Sequence, residues 1–422
     1  MPDLPVAVYP GVISTHEEDT VVKNIEDVLV DQIVQGLTAQ VKLTPMAKAT
    51  AQPADRDIVF TGSFEEINEY FQRNNWTDGL PVVPPTIEKV EAFLKFTDRS
   101  PDDVLGVLHP SRSQASVWKV AVNGVMAGCR PEYMPILVAI VEVMTAPEFG
   151  MRHAGSTPGW EGMFILNGPI ARQLGFGYET AAQRPGNQAN TSVGRFYRLF
   201  CRNIARFLPG TTDMATFGQM FRAVVAENEA VCADIGWEPL HVTRGFAPTD
   251  NVVTITSIRS ASDPFSTAGE SAERHLDYMV DWVKRMIEPY QSSSGYIESH
   301  VLLLTPVIAS LLARAGFSKR AVVDYIKYNA VVPAHYYEWS MTLGDAHAPG
   351  TTLDTLIDKG ELPEAWRASK DPERKLPLLL PETQLLVVVS GDPTRNRSCF
   401  YRQNFKQGYA TSKKIALPTC AW

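Results

Sequence analysis

Apolar positions along this chain change their spacing near residue 160. In the first part they recur every three to four residues, the period of an α-helix packed on one face. The stretch "EEDTVVKNIEDVLVDQIVQGL" has Val21, Val22, Ile25, Val28, Leu29 and Ile33 at that spacing and predicts one helix in an N-terminal arm. The polar run Thr44–Asp57 follows it and reads as a linker, so residues 1–57 form an arm and linker ahead of a body over 58–422. Such an arm packs on its own body or on a neighbouring subunit. Its deletion is expected to change assembly rather than the fold of the body. In the body, Ser63 caps a helix with Ile67, Tyr70 and Phe71 on one side, and Thr86 caps the next, with Glu88 in its first turn. Gln114–Gly128 is helical, and Pro131 and Glu132 open a further helix through "MPILVAIVEVMT".

Beyond residue 160 the pattern is short continuous apolar runs. "GMFILNGPIARQLGFG" predicts a buried strand, a turn at Asn167–Gly168 and a short helix. "VLLLTPVIASLLARAGF" repeats the order of apolar run, proline and helix, and "ETQLLVVVSGDP" is a third run ending in a glycine turn. "NVVTITSI" and "MFRAVVAE" add strand-like runs. The two strand–proline–helix pieces point to a weak internal repeat, with a sub-boundary near 260–295. Strands interleaved with helices predict an α/β or mixed α+β fold.

One segment fits neither period. "WTDGLPVVPPT" (Trp76–Thr86) carries Pro81, Pro84 and Pro85, which break helices and inner strands alike. It reads as a stiff loop holding polar groups, and is expected to lie against the turn at Cys129.

Composition narrows the options. The chain has 422 residues, 45% hydrophobic and 20% charged, and a formal charge of -8, which gives no general attraction to nucleic acid or an anionic membrane. No apolar run approaches the roughly 20 residues of a membrane span. The first residues lack the basic region of a secretory signal. The five cysteines, Cys129, Cys201, Cys232, Cys399 and Cys420, are scattered without a CxxC pair, as expected of free thiols in a reducing cytoplasm.

Candidate chemistry falls in four places. Cys129, in "AGCRPEYMP", precedes a helix N-terminus and adjoins Arg130, both of which favour a thiolate; it is expected to react faster than Cys201. The alternative is a small buried core residue. Arg195, Arg198, Arg202 and Arg206 form a stripe on one helix, suited to carboxylate or phosphate groups or to pairing with local acids. The loop "AAQRPGNQAN" ahead of that helix can cradle an anion. Glu227, Glu229 and His241 supply groups for acid–base work or a divalent metal, and His335, Glu338, Asp345 and His347 form a second such inventory. No GxxxxGK[ST], GxGxxG or GxSxG motif is present.

Taken together and in order, "WTDGLPVVPPT", "AVNGVMAGCRPEYMP", "ILNGPIARQLG", "VVAENEA…WEPLHVTRGF" and "LLVVVSGDP" resemble a bacterial family encoded with, or fused to, UGSC-type domains carrying Sec- or Cys-Gly-Ser-Cys. The resemblance runs from about Phe60 to the C-terminus. It implies thiol or selenol chemistry near this fold. The UGSC motif is absent here, so a separate redox polypeptide would supply it. The reading that follows is a cytoplasmic, oligomeric enzyme subunit acting on a small polar or anionic substrate by thiol-assisted redox or bond-cleaving chemistry. Cys129 would be the thiol, Asp78 and Glu227 acid–base groups, and Asn123, Arg130, Asn167 and Arg195 the substrate-binding set. Two rivals stand beside it: a metal-dependent hydrolase or lyase using Glu227, Glu229 and His241, and a non-catalytic scaffold for a UGSC-type partner.

Overall fold

The computed structural model describes residues 5–39, 54–218, 223–289, 298–344, 350–404 and 408–419. The chain divides into two compact units, Met1–Val59 and Phe60–Trp422. In the first, helical segments Glu18–Asn24 and Val30–Thr38 are joined by a π turn over Ile25–Leu29. The predicted apolar face is there, and Val22, Ile25 and Ile33 on it are exposed within this structure.

The second unit has a mixed α+β fold. It opens with helices α1 (Phe64–Arg73) and α2 (Ile87–Leu94). Ser63 and Glu66 close a capping box on α1, and Thr86 caps α2, as the sequence predicts. A small antiparallel pair follows, β1 (Val104–Leu108) and β2 (Ser113–Ser116). Helix α3 (Val117–Ala127) therefore starts later than the periodicity indicates: Gln114–Ser116 belong to β2, and the Ser116 hydroxyl caps the helix. Helix α4 (Met134–Thr145) is almost wholly buried.

Next come β3 (Glu161–Asn167), α5 (Pro169–Gln173), α6 (Gln188–Phe200), β4 (Val224–Ala226), α7 (Glu229–Asp234), β5 (Val252–Ile258) and β6 (Ser260–Ala261). The second half repeats the theme with α8 (Ala272–Met286), β7 (Ser299–Leu304), α9 (Pro306–Arg314) and α10 (Lys319–Asn329). After a hairpin of β8 (Val331–Pro333) and β9 (Lys375–Pro377), which encloses α11 (Ala334–Leu343), the chain forms β10 (Gln384–Val389), β11 (Ser398–Arg402) and β12 (Thr411–Lys414).

Two four-stranded sheets result, in the orders β12-β5-β3-β4 and β10-β7-β11-β6. They have the same topology. In each, the first strand of the half is parallel to the second and antiparallel to the third (β3 with β4 and β5, β7 with β10 and β11). The fourth strand of each half crosses over: β6 pairs with β11, and β12 pairs with β5. The internal repeat read from the two strand–proline–helix pieces is thus visible in the topology, and the strand exchange ties both halves into one unit.

The strands are buried on both faces, which explains why they read as continuous apolar runs. Met163, Ile165, Val301, Leu303, Leu386 and Val388 meet between the sheets. Their alternate neighbours face outward: Phe164 and Leu166 pack in one core with α3, α4 and α6, and Leu302, Leu304 and Val387 in another with α8, α9 and α10. The layers therefore run helix, sheet, sheet, helix. Among the described residues no single helix is long and apolar enough to cross a membrane.

Candidate functional site

The residues singled out in the sequence separate into two places. The first is at the carboxyl ends of β3 and β4. Gly168 leaves β3 with φ +93°, and Pro169 starts α5 at once, so Asn167 is fixed at the strand end with no exposure. Asn228 caps α7, which turns Glu227 and Glu229 toward Asn167. The Asn167 amide donates to Glu227 Oε2 at 2.8 Å and to Glu229 Oε1 at 2.9 Å. Glu227 is buried and fully engaged. Its Oε1 accepts from Lys319 Nζ at 2.6 Å and from the Val389 amide at 3.2 Å, and its Oε2 from the Leu240 amide at 2.6 Å. Burial pushes the Glu227 carboxyl up, but Lys319 and these donors outweigh it and hold it below the usual carboxylate range.

The geometry of this set does not suit a metal. Among the described residues no three His, Cys, Asp or Glu side chains are arranged to hold a metal ion. The reason is visible at Glu227, whose oxygens face Lys319 and amide donors, while His241 Nδ1 stands 3.6 Å from Glu229. An ionised carboxylate already paired with an ammonium has no proton to give and no free lone pair aimed at a ligand. Glu227 and Asn167 therefore serve as a polar junction between the halves. In the other proposed cluster, His335 is exposed and lies 3.1 Å from Glu373. Asp345 and His347 are outside the described residues.

The second place is the Trp76–Thr86 segment. It docks against α3 and α6 as an irregular strap. Val82 is held by the Asn68 side chain, and the Val83 amide donates to Met126 O at 3.3 Å, in the last turn before the Cys129 turn. Asp78 and Arg195 form a two-pronged ion pair, at 3.1 Å (Nε) and 2.9 Å (Nη2), and Arg195 also donates to Pro81 O at 2.8 Å. The strap lies against the Cys129 turn as expected, bonded through Val83 to Met126, three residues before Cys129.

The surroundings of Cys129 weigh against an activated thiol. Cys129 is buried in the core of the first half, and burial pushes its thiol up to about 12; the Ser192 hydroxyl and the Arg195 charge offset only part of that. Arg195 in turn is committed to Asp78. Arg130 points the other way, donating to Leu174 O at 3.2 Å and stacking 4.9 Å over Tyr133. Buried Asn123 accepts from the Asn203 amide at 2.8 Å and ties α3 to the turn after α6. Arg202 donates to Asn75, and Arg198 pairs with Glu161, so most of the arginine stripe is matched locally.

What the sequence reading missed is a cleft of about 360 Å³ at the carboxyl ends of β7 and β10. Its floor is Leu303 and Thr305 on one side and Ser390–Gly391–Asp392 on the other. This is the end of a parallel strand pair where ligands bind in many open α/β sheets. One wall is Arg395 to Cys399; the other is Ala181 to Arg184 from the loop before α6. Ala181 and Gly391 both have positive φ, +64° and +103°. A non-glycine residue held in that region is strained, and such strain gathers at binding sites. Gly391 donates to Tyr178 O at 2.9 Å, and the Tyr401 hydroxyl to Gln183 Oε1 at 2.5 Å, so the loop is pinned to the sheet. The sequence did hold signals: the "AAQRPGNQAN" loop as an anion cradle, and the glycine turn of "SGDP". Nothing linear connects them, since Tyr401 and Gln183 are 218 positions apart.

Cys399 is the thiol of this cleft; burial pushes it up as well, but it is only partly buried, whereas Cys129, Cys201 and Cys232 are buried. Alkylation by iodoacetamide at neutral pH, followed by peptide mass spectrometry, should therefore modify Cys399 before those three. Faster labelling of Cys129 would mean that its turn opens readily to reagent.

Compared with protein-family models, curated proteins and solved structures, the chain matches none.

Proposed function

We propose that the chain is a cytoplasmic enzyme that binds a small polar molecule in the cleft at the carboxyl ends of β7 and β10. The carrying observation is the cleft itself, about 360 Å³, with walls from two distant stretches of chain pinned together by hydrogen bonds. Thr305, Ser390 and Cys399 place two hydroxyl groups and a thiol on its lining, the groups a transfer or thiol-assisted reaction would use. The reading does not draw on Cys129. The likeness to UGSC-associated chains adds a thiol or selenol protein as the proposed partner.

A polar metabolite library screened by thermal shift tests this. One or more compounds should raise Tm in the wild-type chain and fail to do so in Ala182→Trp, which fills the cleft from its loop wall. Compounds that stabilise both proteins equally would place the ligand elsewhere.

A further inference from the structure

We infer that the cleft is a receptor for an anionic group, a carboxylate or a phosphate, held by Arg184, Arg395 and Arg397. This rests on the reading of the cleft as the ligand seat. The three arginines come from the loop before α6 and from the turn between β10 and β11, and all three line one cavity. None of them makes an ion pair among the described residues; Arg397 reaches only the Asn396 carbonyl, at 3.4 Å. Three less exposed arginines of this unit are paired with acids, Arg195 with Asp78, Arg198 with Glu161 and Arg402 with Glu288, whereas the three cleft arginines are exposed and stand ready for a ligand.

Like charges gathered around one cavity repel, and an anion between them reverses the sign of that interaction. Asp392, the acidic residue of the lining, is occupied by Thr394, whose amide and hydroxyl donate to it at 2.8 and 2.7 Å. Those bonds, with smaller help from the Thr180 hydroxyl and the Arg395 charge, outweigh burial and hold its carboxyl below the usual range, so it offsets only one of the three positive charges. Planar guanidinium groups match the oxygens of carboxylates and phosphates in pairs. The recognition inferred here rests on these side chains.

Isothermal titration of the full chain with inorganic phosphate and, separately, with succinate tests the inference. At least one should bind at low salt. Affinity should fall about tenfold or more in Arg395→Gln/Arg397→Gln, whose side chains are exposed and whose replacement leaves the fold intact. It should also weaken as sodium chloride rises from about 20 to about 300 mM. Binding of phosphate alone assigns a phosphorylated ligand; binding of succinate alone assigns a carboxylate. Failure of both anions, or unchanged affinity in the double variant, overturns the inference. If a neutral library compound is lost in Ala182→Trp while both anions fail, the cleft remains the ligand seat and only its anionic character is wrong.

Discussion

Glu227→Gln and Lys319→Met should each destabilise the protein by about 3–5 kcal/mol, because each leaves its partner's charge buried and unpaired. Lys319 begins α10 in the second half, and Glu227 follows β4 in the first, so the pair is a bond between halves as well as an ion pair. The double variant should lose less than the sum of the singles, by about 1–3 kcal/mol, since the two groups interact directly. It should not recover fully: Leu240 and Val389 donate to opposite oxygens of Glu227, and a glutamine amide would turn a donor toward one of them. The pH dependence has a definite sign. Glu227 has a lower pKa folded than unfolded, so its stabilising contribution is complete above the unfolded value of about 4.3 and fades as pH falls through the folded value. Urea unfolding at pH 7 and at acid pH should show a wild-type chain losing stability more steeply below about pH 4.3 than Glu227→Gln does. Equal slopes, or single variants within experimental error of the wild type, would mean that the pair is solvated.

Gly168→Ala should be similarly costly. At φ +93° and ψ 172° the backbone occupies a region open essentially to glycine alone. A Cβ there would lie 2.4 Å from the Asp250 carbonyl oxygen and 2.7 Å from Asn251 Cα. Both are main-chain atoms, which cannot step aside as a flexible side chain would. Backbone strain and overpacking together give about 2–6 kcal/mol. The displacement would also pull the Gly168 amide from Glu229, to which it donates at 2.7 Å. Gly175→Ala is the matched control: its φ is +75° but nothing lies within 4 Å of an added Cβ, so it carries only the left-handed penalty of about 1–2 kcal/mol. Chemical denaturation of the two variants should separate them clearly. Equal losses would show that the approach of Asp250 to the end of β3 is looser than described.

These two sites show what was legible in the sequence. Helix caps at Ser63 and Thr86 and the runs of β3, β7 and β10 were readable because each is local: a hydroxyl before a periodic stretch, or an apolar run stopped by glycine or proline. Asn167 and Glu227 were also readable as polar residues at strand ends. Their role was not, because it depends on Lys319, which is 92 positions from Glu227 and has no signature of its own. Cys129 misled for a physical reason. Its neighbours, a helix start and an arginine, favour a thiolate, but burial is a property of the packed unit and outweighs both. The arginine cleft escaped for the converse reason, as its three charged residues stand on unremarkable exposed loops until the second sheet forms beneath them.

The exchange of β6 and β12 has a consequence for the chain's history and handling. If the repeated topology descends from two copies of one ancestral segment, that segment already had a strand to lend, and two separate molecules could have clasped each other as the halves do now. The same clasp constrains the present protein. Thr254 on β5 meets Ser412 on β12 across 158 positions, so the first sheet is finished only after nearly the whole chain has been made. A nascent or truncated chain ending before residue 411 would expose β5 as a bare, apolar edge, ready to accept β12 from another molecule. Incomplete chains would therefore pair with complete ones, and a tag or cut near the C-terminus acts on the edge strand that covers β5 rather than on a loose end.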